Sequence, residues 1–269
     1  MNLTSKLTAG LFAAACVCSL AAAELSISEP ADFTQPRRAS KSDDGIIVKG
    51  AGFQLFSAKT LTLDPAKKYK VSGEFRLKEG EESGAVYLGL VPLNAEGKQI
   101  TSGSVNVVPK SDTVVAKAAA AGDTVVYVED ASKWNKETPY AYIAFNTKPD
   151  YSDLPNSDTI KIPKGEIAQE GELWKVTLKT PLTKDIPAGT GVRQQRAGAA
   201  YIYSGYKRNM PQEWTTLSGV ISGSVAKSGI PTKQLWPATA SVRVVVMMLD
   251  GKKGNVIEFR NVTVEEVAE

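Results

Sequence analysis

The chain has 269 residues, with 32 lysines and arginines against 29 aspartates and glutamates, two cysteines and no histidine. A small positive excess spread over isolated pairs at turns (Arg37 with Arg38, Lys67 with Lys68, Lys252 with Lys253) is not the concentrated basic stripe of a nucleic-acid binder. The missing histidine excludes Ser-His-Asp and Cys-His catalysis and His-ligated zinc.

Taken in order, the chain opens with Lys6 as its only early charge, an apolar run from Leu7 to Leu20, and Ala21 to Ala23 ahead of Glu24. This pattern predicts a secretory signal over residues 1–23, cleaved after Ala23. The run is shorter than the roughly 20 apolar residues a spanning helix needs, so no transmembrane span is expected in the mature chain. A lipoprotein signal cut before Cys16 is the alternative, although Ala13 stands where such signals usually carry leucine. Cys16 and Cys18 both leave with the signal, so a mature protein without thiols is expected to be secreted, periplasmic or held at the cell surface. Its stability must then come from core burial, in one large or two smaller domains.

From Leu25 to Ala39 the segment contains proline and reads as an irregular leader along the fold. Ile46 to Val48 and Phe53 to Phe56 read as short strands on either side of a bend at Gly50 and Gly52. The clearest element follows the turn at Asp64-Pro65. Tyr69, Val71, Gly73, Phe75 and Leu77 alternate with Lys70, Ser72, Glu74, Arg76 and Lys78, which predicts a strand with one dry and one wet face, inside an antiparallel sheet. After a charged turn from Lys78 to Gly84, Ala85 to Leu93 is apolar on both faces, as expected of a mid-sheet hairpin partner. Gln99 to Val108 is expected to return as a further strand.

The pattern changes after Pro109. Ala116 to Ala121 has the composition of one helical turn, too short to stand without tertiary support. Thr124 to Val128, Tyr140 to Phe145 and Trp174 to Leu178 carry strand signals, and Pro181, Pro187, Gly189 and Gly191 punctuate the exit. Strand character resumes at Ala199 to Tyr206, continues at Trp214 to Ile221, and closes with Val242 to Leu249 and Val256 to Val264. In that last stretch Ile257 and Phe259 fall in one phase and Val262 and Val264 in the other; a bulge near Arg260 and Asn261 would return all four to one face. The expected fold is all-β: an antiparallel jelly-roll β-sandwich made of residues 24–109 and 199–269, interrupted by a small β-rich inserted domain at 110–198.

The strand at Tyr69 to Lys78 after Leu61-Thr62-Leu63-Asp64-Pro65, the later Trp214-Thr215-Thr216-Leu217-Ser218-Gly219, and the closing Val242-to-Val264 hairpin together resemble the jelly-roll, galactose-binding-like carbohydrate-binding modules of secreted bacterial glycan-degrading systems. The resemblance covers Ile46 to Val108 and Ala199 to Val264. It implies glycan binding without catalysis, and a structural calcium between the N-terminal segment and the last strand, with no other cofactor. Arg260 and Asn261 depart from the acidic residue that many such modules carry after the closing aromatic. The segment from Ala121-Gly122-Asp123-Thr124 to Trp134 looks like small β modules grafted into secreted and surface proteins.

Sugar binding calls for flat aromatic faces beside polar groups that reach hydroxyls. Tyr201, Tyr203 and Tyr206, next to Lys207, Arg208 and Asn209, make the densest such cluster. Trp236, in a Leu-Trp-Pro loop expected to be more exposed than Trp214, and Trp134 are further ligand candidates, with Tyr140, Tyr142 and Tyr151 behind them. Asp150, Asp153, Asn156 and Asp158 put oxygen donors at short spacing in one loop and are candidate calcium ligands; the spacing is not that of an EF-hand, and a solvated acidic turn is the favoured alternative. Two other functions stay open: an envelope structural or protein-interaction module whose partner is another envelope or secreted protein, and a polysaccharide lyase or hydrolase using tyrosine or carboxylates such as Glu74, Glu129, Asp130, Glu166 and Glu213.

Overall fold

The computed structural model describes residues 24–198, 200–225 and 233–267. The expected signal, with Lys6, Cys16, Cys18 and the Ala23 cleavage point, lies outside the described residues. In chain order the first part holds β1 (Glu24–Ile27), β2 (Ser40–Lys41), β3 (Ile46–Lys49), β4 (Phe53–Phe56), β5 (Leu61–Thr62), β6 (Lys68–Glu79), β7 (Ala85–Leu93) and a one-turn helix α1 (Ser102–Val105). The middle holds β8 (Thr113–Val114), β9 (Val125–Val128), β10 (Ala141–Phe145), β11 (Thr159–Lys161), β12 (Ile167–Glu170), β13 (Leu173–Thr177) and β14 (Gly191–Arg196). The last part holds β15 (Ile202–Arg208), β16 (Thr215–Ser222), β17 (Ser241–Leu249) and β18 (Val256–Val267).

Two antiparallel sheets form the sandwich. One has the order β16-β6-β18-β3-β2 with β1 added to β18, and the other the order β15-β7-β17-β4 with β5 added to β17. Following the chain, β3, β6, β16 and β18 lie in the first sheet while β4, β7, β15 and β17 lie in the second, so the chain crosses the sandwich at nearly every step. Only β7 and β15 are consecutive long strands of the sandwich that pair with each other. This is jelly-roll topology. The alternating strand at Tyr69 to Lys78 is β6, paired on both sides by β16 and β18, with Tyr69, Val71, Phe75 and Leu77 buried in the main core.

The crossing corrects two expected hairpins. β6 and β7 straddle the sandwich, and so do β17 and β18. Alternation reports which face of a strand is dry, and a strand opposite shares that core as fully as a strand beside it. The expected strand at Gln99 to Val108 is instead two isolated bridges, Leu93–Gln99 and Val107–Gln195, on either side of α1. The N-terminal segment is more regular than expected, because β1 pairs with β18 and buries Leu25 and Ile27 before two short 3-10 turns begin. The bulge at the closing strand is present: the β18–β6 register shifts between Arg260 and Thr263, and Ile257, Phe259, Val262 and Val264 all enter the main core.

Between β7 and β15 the chain builds two further sheets, β11-β10-β14-β8 and β12-β13-β9, around a second apolar cluster that includes Val126, Val128, Trp134, Ile143, Phe145 and Val176. The strands expected at Thr124 to Val128, Tyr140 to Phe145 and Trp174 to Leu178 are β9, β10 and β13 within a residue or two. β14 has no apolar signature, since its Arg193, Gln194 and Gln195 are all buried. Ala116 to Ala121 forms no helical turn; Ala119 bridges to Ile186 instead. Among the described residues no helix is long and apolar enough to cross a membrane.

The outward face of the first sheet is held by charge. The Glu258 carboxylate on β18 is fully buried beneath Arg76 (2.7 Å from Nε), Lys78 (2.8 Å) and the Ser42 hydroxyl, and Arg76 also reaches Asp44 at 2.9 Å. Burial pushes this carboxyl upward, but the bonds from Lys78, Ser42 and Arg76 outweigh it and hold it below the ordinary glutamate range. A lowered folded pKa means the stabilisation is present above the unfolded value and is lost as pH falls through the folded one. Glu258→Gln is therefore expected to cost about 2 kcal/mol at neutral pH and to flatten the acid limb of the stability profile. Denaturant titrations at a series of pH values check both; an unchanged acid limb would contradict the assignment.

Candidate functional site

On the second sheet, Val86, Leu88, Leu90, Val244, Val246, Met248 and Leu55 point into the main core, so the residues between them project from the outer face. The pairing register lines these up in rows. Tyr203, Gly89, Val245 and Phe56 lie across one row, Tyr206, Tyr87, Met247 and Gln54 across the next, and Arg208, Ala85 and Leu249 across a third. Tyr201 lies just ahead of β15 against Phe56, with ring centroids 6.0 Å apart.

The rings form a continuous belt. Tyr201 meets Tyr203 edge-on at 6.2 Å, Tyr203 meets Tyr87 at 4.9 Å, and Tyr87 stacks on Tyr206 at 5.4 Å with planes 18° apart. Beneath it lies a small apolar cluster of Val91, Leu93, Val245 and Met247, which the rings shield from water. The belt is open at its outer end, where Tyr206 is 65 % and Tyr203 36 % exposed. Such tilted and offset-stacked contacts hold aromatic rings in fixed orientations at little entropic cost.

Two backbone features make the belt. Tyr203 and Tyr206 are three residues apart, a spacing that in a regular strand puts side chains on opposite faces. A register shift between Tyr203 and Gly205 returns them to the same face, while Ser204 turns inward and bonds the Leu88 carbonyl at 3.1 Å. At the centre, a Cβ on Gly89 would come within 2.6 Å of the Ile202 carbonyl oxygen and 3.0 Å of the Tyr203 Cα. Bare glycine is what lets β15 close onto β7 under the rings.

The Tyr203 phenol is pushed up to about 12, by burial first and by the neighbouring Tyr201 and Tyr87 phenols second. Its hydroxyl approaches the Met247 sulfur at 3.6 Å. Burial also raises Tyr201, against a Gln99 hydrogen bond that lowers it. Arg208 borders the exposed end, 3.8 Å from Asp250.

Of the expected ligand residues, Tyr201, Tyr203, Tyr206 and Arg208 are therefore gathered on one face. Trp236 and Trp134 are not. Trp236 is buried in the main core, its indole N–H donating to the Ala200 carbonyl at 3.0 Å, and is less exposed than the half-buried Trp214. Trp134 is buried in the second cluster and donates to the Ser111 carbonyl at 2.8 Å. In both cases a backbone acceptor satisfies the indole and the ring is almost wholly buried; Trp236 reaches solvent only as a small part of the wall of a hollow it shares with Asn106 and Arg196. Trp214 lies between the Arg76 and Arg260 guanidiniums, 4.5 and 4.1 Å from its ring centre. Tyr87 and Phe56 complete the belt, and the sequence marks Tyr87 only by its alternation with Val86 and Leu88 in a strand apolar on both faces.

The acidic loop does not converge on one point. Asp150 accepts from the Ser152 N–H, Asp158 pairs with Lys184 and Asn146 at 2.8 and 2.7 Å, and Asn156 donates to the Phe145 carbonyl. Asp153 bonds the buried Arg193 guanidinium, over which the Tyr151 ring lies at 4.8 Å. The positive charge facing Asp153 is thus an arginine, and Asp150, Asp153 and Asp158, the expected calcium ligands, each face a different partner. Near the last strand Arg260 bonds Glu74 at 2.7 Å, and Asn261 does likewise. Among the described residues no three His, Cys, Asp or Glu side chains are grouped to hold a metal. No protein-family model and no curated protein matches the chain.

Gly89→Ala is expected to force β15 away from β7 and cost about 1–3 kcal/mol, as over-packing does, read from the denaturant midpoint and near-ultraviolet circular dichroism. A raised Tyr203 pKa means the folded state keeps its proton longer than the unfolded chain, so this stabilisation is present below pH ~10 and is lost as pH rises towards about 12. Phenolate absorbance should show Tyr203 as the last tyrosine to titrate, a step that disappears in Tyr203→Phe.

Proposed function

We propose that the chain is an exported, non-catalytic carbohydrate-binding protein that holds a glycan against the outer face of the β15-β7-β17-β4 sheet. In this reading residues 110–198 are a module inserted into the β7–β15 connection of the parent jelly roll. The observation that carries the proposal is the belt of Tyr201, Tyr203, Tyr87 and Tyr206, open to solvent at Tyr203 and Tyr206. The apolar side of a pyranose stacks on such rings, and Gln54 in the Tyr206 row and Arg208 in the row beyond it supply polar contacts for hydroxyls. Exposed aromatic area of this kind on an otherwise polar surface marks a binding face.

The direction of the Tyr203 shift supports binding over catalysis. A tyrosine acting as a base in uronate elimination needs its phenolate within reach near neutral pH, whereas burial drives Tyr203 the opposite way. Of the carboxylates considered for hydrolysis, Glu74 is engaged by Arg260 and Asn261, and Asp130 caps the Ser132 N–H.

The reading is tested on a glycan array, followed by titration with the polysaccharide retained. Tyr206→Ala, at an exposed position, is expected to weaken binding about tenfold, or ~1.4 kcal/mol, without shifting the unfolding midpoint. Retention of no glycan, together with capture of a protein partner through the same tyrosines, would replace this reading with an interaction module. Release of shortened or unsaturated sugar would replace it with an enzyme.

A further inference from the structure

A second feature lies away from the aromatic belt, where α1 and the end of β14 meet. Two adjoining hollows of about 350 and 280 Å³ open there, and Asn106 and Arg196 line both. The junction is fixed by backbone: the Arg196 N–H donates to the Asn106 carbonyl at 2.8 Å, and the Ser102 hydroxyl donates to the Arg196 carbonyl at 2.9 Å.

Gln195 lines the second hollow. Its side chain is 0 % exposed, and neither its amide nitrogen nor its amide oxygen has a hydrogen-bond partner. An amide closed off from water and left unpaired is costly, and buried polar groups in folded proteins are nearly all satisfied. The missing partner must both donate and accept. Asn106 lies alongside with its amide nitrogen on the Ser102 hydroxyl at 3.2 Å, and Tyr140, 53 % exposed, edges the first hollow beside Arg196. Among the described residues no carboxylate lines either hollow.

We infer that this junction cleft is a second saccharide site, which takes a single pyranose unit. The ring of Tyr140 stacks on its apolar side, Arg196 and Asn106 reach its hydroxyls, and the Gln195 amide, closed to solvent in the free chain, turns to pair with one hydroxyl that serves as donor and acceptor together. The inference rests on the reading of the chain as a sugar binder, but on none of the residues of the belt.

The test uses the full chain and free hexoses, hexuronic acids and N-acetylhexosamines as probes, followed by saturation-transfer NMR and titration. With the belt removed by Tyr203→Ala/Tyr206→Ala, the chain is expected still to bind at least one of them, and adding Tyr140→Ala or Arg196→Ala to that background is expected to weaken it tenfold or more. Gln195→Leu, shown folded by circular dichroism, should lose the same ligand. No monosaccharide bound by the chain without the belt, or binding undiminished in the two exposed cleft variants, overturns the inference and leaves ordered water as the partner of Gln195. Monosaccharide binding without polysaccharide binding would sink the belt reading and keep the cleft. Polysaccharide binding lost only with the belt tyrosines, with no monosaccharide bound, would do the reverse.

Discussion

Strand β7 buries both of its faces, and the architecture of the aromatic face follows from that. Val86, Leu88 and Leu90 close the main core from one side, while Tyr87, Gly89 and Val91 form the floor of the outer face on the other. A strand can do this only at the centre of a sheet, where neighbours satisfy its backbone on both edges, and β15 and β17 provide them. Because β15 is held so closely, its bulge at Ser204 has only one place to go, and Tyr203 and Tyr206 come round to the same side.

The two outer faces of the sandwich solve the same problem by different chemistry. On the second sheet the outer apolar residues are covered by rings, and enough of the rings is left over to meet solvent. On the first sheet a buried carboxylate, Glu258, gathers Arg76, Lys78 and Ser42, and Trp214 is clasped by Arg76 and Arg260. Glu258, Arg76, Lys78, Glu74 and Arg260 on that face are paired within the protein, with hydrogen bonds meeting the remaining lone pairs as a buried ion needs. The aromatic face has its hydrogen-bonding groups at the margin and its flat surface in the middle, which is the distribution a polyhydroxylated ring with one apolar side would match.

The segment between β7 and β15 repeats this economy on a smaller scale. Its acidic loop neutralises Arg193, and its two sheets enclose Trp134 and Phe145. The connection it occupies joins two strands that are neighbours in the sheet, so its ends leave and re-enter close together. Long additions at such a point cost little loop-closure entropy and leave the register of the sandwich intact.

The all-β character, the alternating β6, the two-faced β7 and the β18 bulge were legible in the chain, because hydrophobic period and a phase change within one strand are local properties. So was the concentration of Tyr201, Tyr203, Tyr206 and Arg208, adjacent in sequence. Which strand lies beside another was decided only by tertiary structure, since a dry face records burial and is silent on whether the covering strand is a sheet neighbour or lies across the core. The same limit hid the fate of Trp134 and Trp236, whose indoles each needed one backbone carbonyl brought from 23 and 36 residues away. It also hid Tyr87, Phe56 and Gln195, which owe their roles to cross-strand rows and a junction that no single stretch of residues contains.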